Sequence, residues 1–185
     1  MAKIGEGPKP TRMELLMLRK RLALAKRGHE LLEEKRDALI SQFFEYVKLR
    51  DKIRKDVERN LKRIYEKYKE SKALLGRDIK SVVATVPEIS NIKLTTQTVM
   101  GLRVPKIERW EWEPKYALYA STASFDEMLE IMKDTQEYLM KLIEVEHSLV
   151  ELSEEIKRTR RRVNALKYMV IPRLQKSIKW ITLVL

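Results

Sequence analysis

The sequence has no cysteine. That excludes a disulfide framework and a thiolate metal site, and it leaves the redox compartment open, with a cytoplasm-facing place as the default. Only 5 glycines and 6 prolines stand among 185 residues, fewer than a turn-rich globule uses. No apolar run reaches the length of about 18 residues that a membrane-spanning helix needs. The first ten residues lack the apolar core of a signal peptide. Neither a Walker A loop nor a G-x-G-x-x-G motif occurs. His29 and His147 are the sole histidines and fall on different predicted helices, so a shared metal site is not expected. The carboxylates are spread among lysines and arginines at helical spacing, which suits solvated helix faces better than an acid–base pair. Catalysis, cofactor and metal are therefore not expected of this chain.

What is present is charge and helical periodicity. Charged residues make up 36% of the chain, a share that fits long exposed helices. Residues 1–10 read as a loose leader. Thr11 and Glu14 form a T-x-x-E capping box, and from Leu15 a 3-4 spacing begins. It visits Leu15, Leu18, Leu22, Ala25, His29, Leu32, Arg36 and Leu39, then Phe43, Tyr46, Arg50, Ile53, Val57, Asn60, Ile64 and Lys67. Eleven of these sixteen positions are apolar, and a repeat so sustained is a coiled-coil seam. Polar seam positions such as His29, Arg36, Arg50 and Asn60 either fix register or turn their tips to the seam edge. Gly76 follows Leu74 and Leu75 and suits a left-handed C-cap. The first helix is expected over 11–75, about 95 Å long at 1.5 Å per residue.

A second helix is expected over 124–185, opened by Ser124 with a capping box to Glu127. Its stripe runs Phe125, Met128, Met132, Thr135, Leu139, Leu142, Val145, Leu149, Leu152 and Ile156, then Thr159, Val163, Leu166, Val170, Leu174, Ile178 and Ile181. The phase slips at Leu139–Val145, and again through Leu166, Val170, Leu174 and Ile178. The second slip brackets Pro172, which lacks the N–H that would bond the Tyr168 carbonyl, so a kink is expected there. The connector, 76–123, holds Pro87, Pro105, Pro114, Trp110 and Trp112. Ile92–Val99 is β-branched and partly alternating, Met100-Gly101 offers a turn, and Leu102–Trp110 reads as a return strand that Pro105 restricts to an edge. The fold class is thus all-α dominated, a single elongated domain: a long antiparallel two-helix coiled coil with a small β-hairpin in the connecting segment.

Net charge is +12, and its placement is uneven. Residues 1–30 carry 8 basic and 3 acidic side chains, and residues 157–185 carry 9 basic and none acidic. In between, 22 basic side chains meet 24 acidic ones. In a helical hairpin the two ends meet, and a basic tip requires an anionic partner. Lys157-Arg158 with Arg160-Arg161-Arg162 fans around its helix as a positive collar, without the aromatic interleaving or groove-reading motif of a nucleic-acid binder.

Three stretches resemble the D subunit of the archaeal A-type and vacuolar V-type rotary ATPases. The first runs from Pro10-Thr11-Arg12-Met13-Glu14-Leu15-Leu16 through Arg19-Lys20-Arg21-Leu22 to Gly28-His29-Glu30-Leu31-Leu32-Glu33-Glu34-Lys35-Arg36-Asp37. The second is Arg161-Arg162-Val163-Asn164-Ala165-Leu166, continued as Val170-Ile171-Pro172-Arg173-Leu174. The third is Met100-Gly101-Leu102-Arg103-Val104-Pro105. The resemblance implies a non-catalytic rotor subunit in the central stalk of an A/V-type ATP synthase. It would transmit torque between the ion-driven membrane ring and the catalytic A and B subunits. The implied partners are the F subunit along the shaft, the A/B hexamer around both termini, and the funnel-shaped subunit above the ring. The implied place is the cytoplasmic face of the cell membrane, as a peripheral component. Contacts with the hexamer are expected at Met13, Leu16, Arg19, Lys20, Arg161, Arg162, Arg173, Lys176 and Lys179, dominated by weak, salt-screened charge pairs rather than one large apolar patch.

Members of that family run on with a charged tail, whereas this sequence ends on apolar Thr182-Leu183-Val184-Leu185, which implies a shortened top. Lys167 and Gln175 stand where the family carries acidic residues. The competing reading is a basic coiled-coil adaptor for nucleic acid or anionic membrane. Strong retention of duplex in an electrophoretic shift at moderate salt would favour it.

Overall fold

The computed structural model describes residues 10–76, 79–84, 86–87, 89–114 and 121–185. The expected leader lies almost wholly outside the described residues. Helix α1 spans Arg12–Leu75 without interruption. The Thr11 hydroxyl accepts the Glu14 backbone N–H at 3.2 Å, satisfying a donor that the first helical turn leaves orphaned. Gly76 ends the helix at φ +61°, a conformation that costs glycine nothing and a side chain about 1–2 kcal/mol. A short helix, α2 (Ile79–Ala84), leads to strands β1 (Ser90–Val99) and β2 (Leu102–Glu111). Helix α3 (Ala123–Ala165), a π-helical turn (Leu166–Val170) and helix α4 (Ile171–Val184) complete the chain.

The chain divides into two compact units. One holds the described part of Met1–Gln42 together with Ser153–Leu185; the other is Phe43–Leu152. The described ends of the chain therefore share a unit. Within it, Lys35 pairs with Glu155 at 3.1 Å, and Arg21–Gly28 shares a groove with Leu166–Leu174. In the second unit, Lys67 pairs with Glu127 at 2.8 Å, and the Thr122 hydroxyl donates to the Ser71 hydroxyl at 3.3 Å. Partners run in opposite order each time, so each unit is built on antiparallel helices. All sixteen seam positions of α1 are buried or half-buried. Leu18, Leu39 and Val57 are the deepest, at 5%, 0% and 4% exposed.

The opposing stripe is broader than its spacing predicts. Leu129, Gln136, Met140 and Ser148 are buried on α3 beside the expected Phe125, Met128, Thr135, Val145 and Leu149. The connector supplies the extra cover. Val82 of α2 packs with Phe125, Met128 and Leu129, flanked by Ile64, Tyr68, Val86 and Trp112. The Trp112 indole N–H donates to the Pro87 carbonyl at 2.8 Å, so the ring can be half-buried without leaving its polar edge unpaired. Conversely Met132 and Val170 of the predicted stripe are 39% exposed.

Two local expectations change. The cap of α3 is Thr122, not Ser124: its hydroxyl accepts the Phe125 N–H at 3.3 Å, and the helix starts at Ala123. Thr122 wins because it is also tied to Ser71 of α1, a tertiary bond that no local pattern shows. Before Pro172 the helix widens into the π-turn, where the Ile171 N–H bonds the Leu166 carbonyl. That i→i−5 bond inserts a residue into the turn. It accounts for the fours in the Leu166, Val170, Leu174, Ile178 spacing.

Buried hydroxyls on α3 bond back to their own helix, as Thr135 does to the Ile131 carbonyl at 2.6 Å and Ser148 to the Glu144 carbonyl at 2.7 Å. The hydroxyl of Thr159, a residue 0% exposed, has no partner among the described residues. A valine of nearly the same shape leaves no group unsatisfied. Thr159→Val is expected to raise the stability of the chain by about 1 kcal/mol, read as a higher midpoint in thermal or urea unfolding.

Candidate partner interface

Helix formation brings the basic ends of the sequence into one unit. By sequence, that unit holds 19 basic and 8 acidic residues, whereas Phe43–Leu152 holds 20 and 19. Among the described residues of the first unit the ion pairs are few: His29 with Glu33, Lys35 with Glu155, Arg36 with Glu33 and Asp37, and Arg158 with Glu154. Arg160, Arg161 and Arg162 are exposed and have no ion-pair partner among the described residues. Packing forces this: α3 buries Thr159 and Val163, which turns the three arginines between them outward.

All nine residues expected to touch a partner are exposed. Met13 is 73% and Leu16 55% exposed. Arg19, Lys20, Arg161, Arg162, Arg173, Lys176 and Lys179 are likewise at the surface and carry no salt bridge among the described residues. The antiparallel order brings Met13, Leu16, Arg19 and Lys20 of α1 to the level of Arg173, Lys176 and Lys179 of α4. Arg161 and Arg162 sit about 11 residues back from Arg173, roughly 16 Å along the helix, and form a second ring.

Exposed apolar side chains accompany the cations. Met17, Leu24, Leu31 and Leu183 are 45%, 73%, 58% and 87% exposed. Tyr168 and Met169 of the π-turn reach 67% and 70%. This surface is mixed rather than purely cationic, because both ends are greasier than two seam stripes can absorb. Tyr168 and Met169 were missed as surface features by spacing alone. The signal for them is the run of fours around Pro172, since a π-turn rotates the residues it contains out of the stripe.

The second unit has a different character. A groove of about 900 Å³ lined mainly by Leu61, Tyr65, Tyr68, Val83, Trp112 and Met132 lies beside the Phe125 cluster. The Lys67–Glu127 pair lies outside that groove, with Glu70 at 3.1 Å from the same ammonium. The bond to Glu127, then that to Glu70, raises the Lys67 pKa above its ordinary value and keeps this cross-helix tie charged. Among the described residues no cluster of three or more His, Asp or Glu is placed to hold a metal ion. No described helix is long and apolar enough to cross a membrane.

The chain is similar in sequence to known proteins. The profile of the ATP synthase D-subunit family matches residues 14–185. The D subunit of the A-type ATP synthase of Pyrococcus horikoshii is 39% identical over 179 residues, covering 94% of this chain and 84% of the relative. The corresponding A-type D subunit of Methanopyrus kandleri is 40% identical over 184 residues, covering 96% and 79%. The D subunit of the V-type ATP synthase of a Thermoanaerobacter species is 34% identical over 179 residues, covering 94% and 86%.

Proposed function

The chain belongs to the ATP synthase D-subunit family, and on that footing we propose that it is the rotor shaft of an A/V-type ATP synthase. It transmits torque between the ion-driven membrane ring and the catalytic A/B hexamer and catalyses nothing itself. The observation that carries this reading is the excess of positive charge in the unit that holds both described chain ends, 19 basic to 8 acidic residues by sequence against 20 to 19 in the other, with Arg160, Arg161 and Arg162 outward and without an ion-pair partner among the described residues. Such a surface seats in an anionic sleeve through contacts that are individually weak and screened by salt. Contacts of about 1 kcal/mol or less let go and re-form as a shaft turns, which one large dry interface would not. The exposed leucines and methionines add contact without directional bonds, so they tolerate changes of angle. Met13, Leu16, Arg19, Lys20, Arg161, Arg162, Arg173, Lys176 and Lys179 are the residues assigned to the hexamer.

Torque needs stiffness against twisting. An α1 of 64 residues, seated at every seam position, supplies it, because packed interiors deform little. The F subunit and the funnel-shaped subunit above the ring are assigned to surfaces outside the cationic unit, and the whole works at the cytoplasmic face of the membrane. The test is reconstitution of the chain with A, B and F subunits and a bead fixed to the shaft. ATP is expected to drive stepwise rotation of the bead, while the chain alone hydrolyses no ATP. Full hydrolysis by the assembly with a stationary bead would overturn the reading.

A further inference from the structure

Among the described residues, the hairpin presents an unguarded sheet edge. Strands β1 and β2 form a two-stranded antiparallel sheet. Met100 and Gly101 turn the chain at φ +51° and +80°, the signature of a two-residue turn with both central residues left-handed. Val99 and Leu102 flank it as a hydrogen-bonded pair, so bonded and non-bonded pairs alternate from there. Gln97–Val104 is bonded; Thr98–Arg103, Thr96–Pro105 and Leu94–Ile107 are not. Two facts agree with this parity. Pro105, which has no N–H, stands at a position where none is needed. The Ile107 N–H points away from β1 and is taken by the Glu144 carboxylate of α3. The outer edge of β2 is thereby occupied, and the backbone groups of Leu94, Thr96 and Thr98 face outward on the other side.

All three are exposed, Leu94 at 63%. Natural edges are guarded by charge, proline or a bulge. Here the guards stop at Lys93: Asn91 sits at φ +54°, pairing shifts register up to Leu94, and Lys93 holds Glu108 at 3.4 Å. From Leu94 to Val99 the strand reads Leu-Thr-Thr-Gln-Thr-Val, uncharged in a chain that is 36% charged. Three N–H and three C=O groups at strand spacing are matched only by another extended backbone.

We propose that the Leu94–Val99 edge is a strand-addition site that takes an extended, uncharged segment of a different polypeptide in the assembly. Its occupant completes a three-stranded sheet and sets side chains beside Leu94, Thr96 and Thr98. The chain belongs to a family of ATP synthase subunits, so the occupant is assigned to another subunit, and a second copy of this chain is an outcome of the test. The inference rests on the chain working in an assembly, as read above.

Amide hydrogen exchange at single-residue resolution tests it, comparing the free chain with the assembly isolated through it from the cells that make it. In the free chain Leu94, Thr96 and Thr98 exchange fast while Gln97 and Val99 are slow. In the assembly the first three are expected to slow by about tenfold or more, giving protection along the whole strand. Thr96→Pro removes one outward N–H and no ladder bond, as Pro105 opposite it already does. It is expected to abolish the added protection at Leu94 and Thr98 while leaving Gln97 and Val99 slow. Unchanged exchange at the three amides in an intact assembly would overturn the strand-addition site alone. Protection that grows with concentration of the free chain would overturn it in favour of a second copy. Recovery of no assembly at all would overturn both this and the rotor reading.

Discussion

Replacing Phe125 by alanine is expected to cost about 3–5 kcal/mol of stability, the largest effect of any single truncation in Phe43–Leu152. The ring is 0% exposed and joins three separate pieces of chain. It meets Val82 of α2, its own neighbours Met128 and Leu129, and the flank formed by Ile64, Tyr68 and Trp112. A cavity there cannot be closed by moving one side chain, because its walls belong to α1, α2 and α3, each held elsewhere. The cost therefore includes the lost transfer of the ring from water and the lost contacts of its lining. The thermal midpoint should fall by roughly 10 °C, taking about 2–4 °C per kcal/mol for a chain of this size. Phe44→Ala is the control. Its ring is 59% exposed and touches Phe43 edge-on at 6.0 Å, so its loss should shift stability by no more than about 0.5 kcal/mol. Equal losses in the two variants would show that the Phe125 cluster is not the anchor of that unit.

Reversing the charge of Arg161 and Arg162 together is expected to cut ion transport per ATP hydrolysed by about tenfold. Two surface contacts of up to about 1 kcal/mol each are removed, and like charges are set against an anionic sleeve. Neither arginine has an ion-pair partner among the described residues, and both are exposed, so the fold loses nothing. Unfolding midpoints of Arg161→Glu/Arg162→Glu and of the parent should agree within about 0.5 kcal/mol. Added salt should bring the parent toward the variant, since screening weakens the same contacts. Unchanged ATP-driven pumping in the folded variant would remove these residues from the coupling surface.

The elements themselves were legible in the chain. The 3-4 spacing from Leu15 to Lys67, the box at Thr11 and Glu14 and the stop at Gly76 place α1 within a residue of where it lies. The Met100-Gly101 turn sets the hairpin register that is observed. These signals are local: each depends on the turn of helix or the pair of strand residues that contains it. Thr122 could not be chosen over Ser124 in the same way, because its advantage is a hydroxyl on another helix. Nor could Trp112 be assigned to a core when the connector read only as hairpin and loop.

The partner surface divides similarly. That a basic end exists follows from composition along the chain, and membership in the D-subunit family follows from three ordered motifs. Which cations stay unpaired depends on where the acidic residues of a packed neighbour fall. Which apolar residues remain outside depends on how many neighbours each helix has.

Periodicity, caps and turn residues thus determined that the chain makes long seam-bearing helices and one tight hairpin, because short-range sterics and backbone bonding decide those. The tertiary structure alone decided the breadth of the buried face on α3, the π-turn that shows Tyr168 and Met169, the latch of Glu144 on Ile107, and the outward parity of Leu94, Thr96 and Thr98. Each of these needs two segments distant in sequence to meet, and no local pattern records which partner a face, a carboxylate or a strand edge will find.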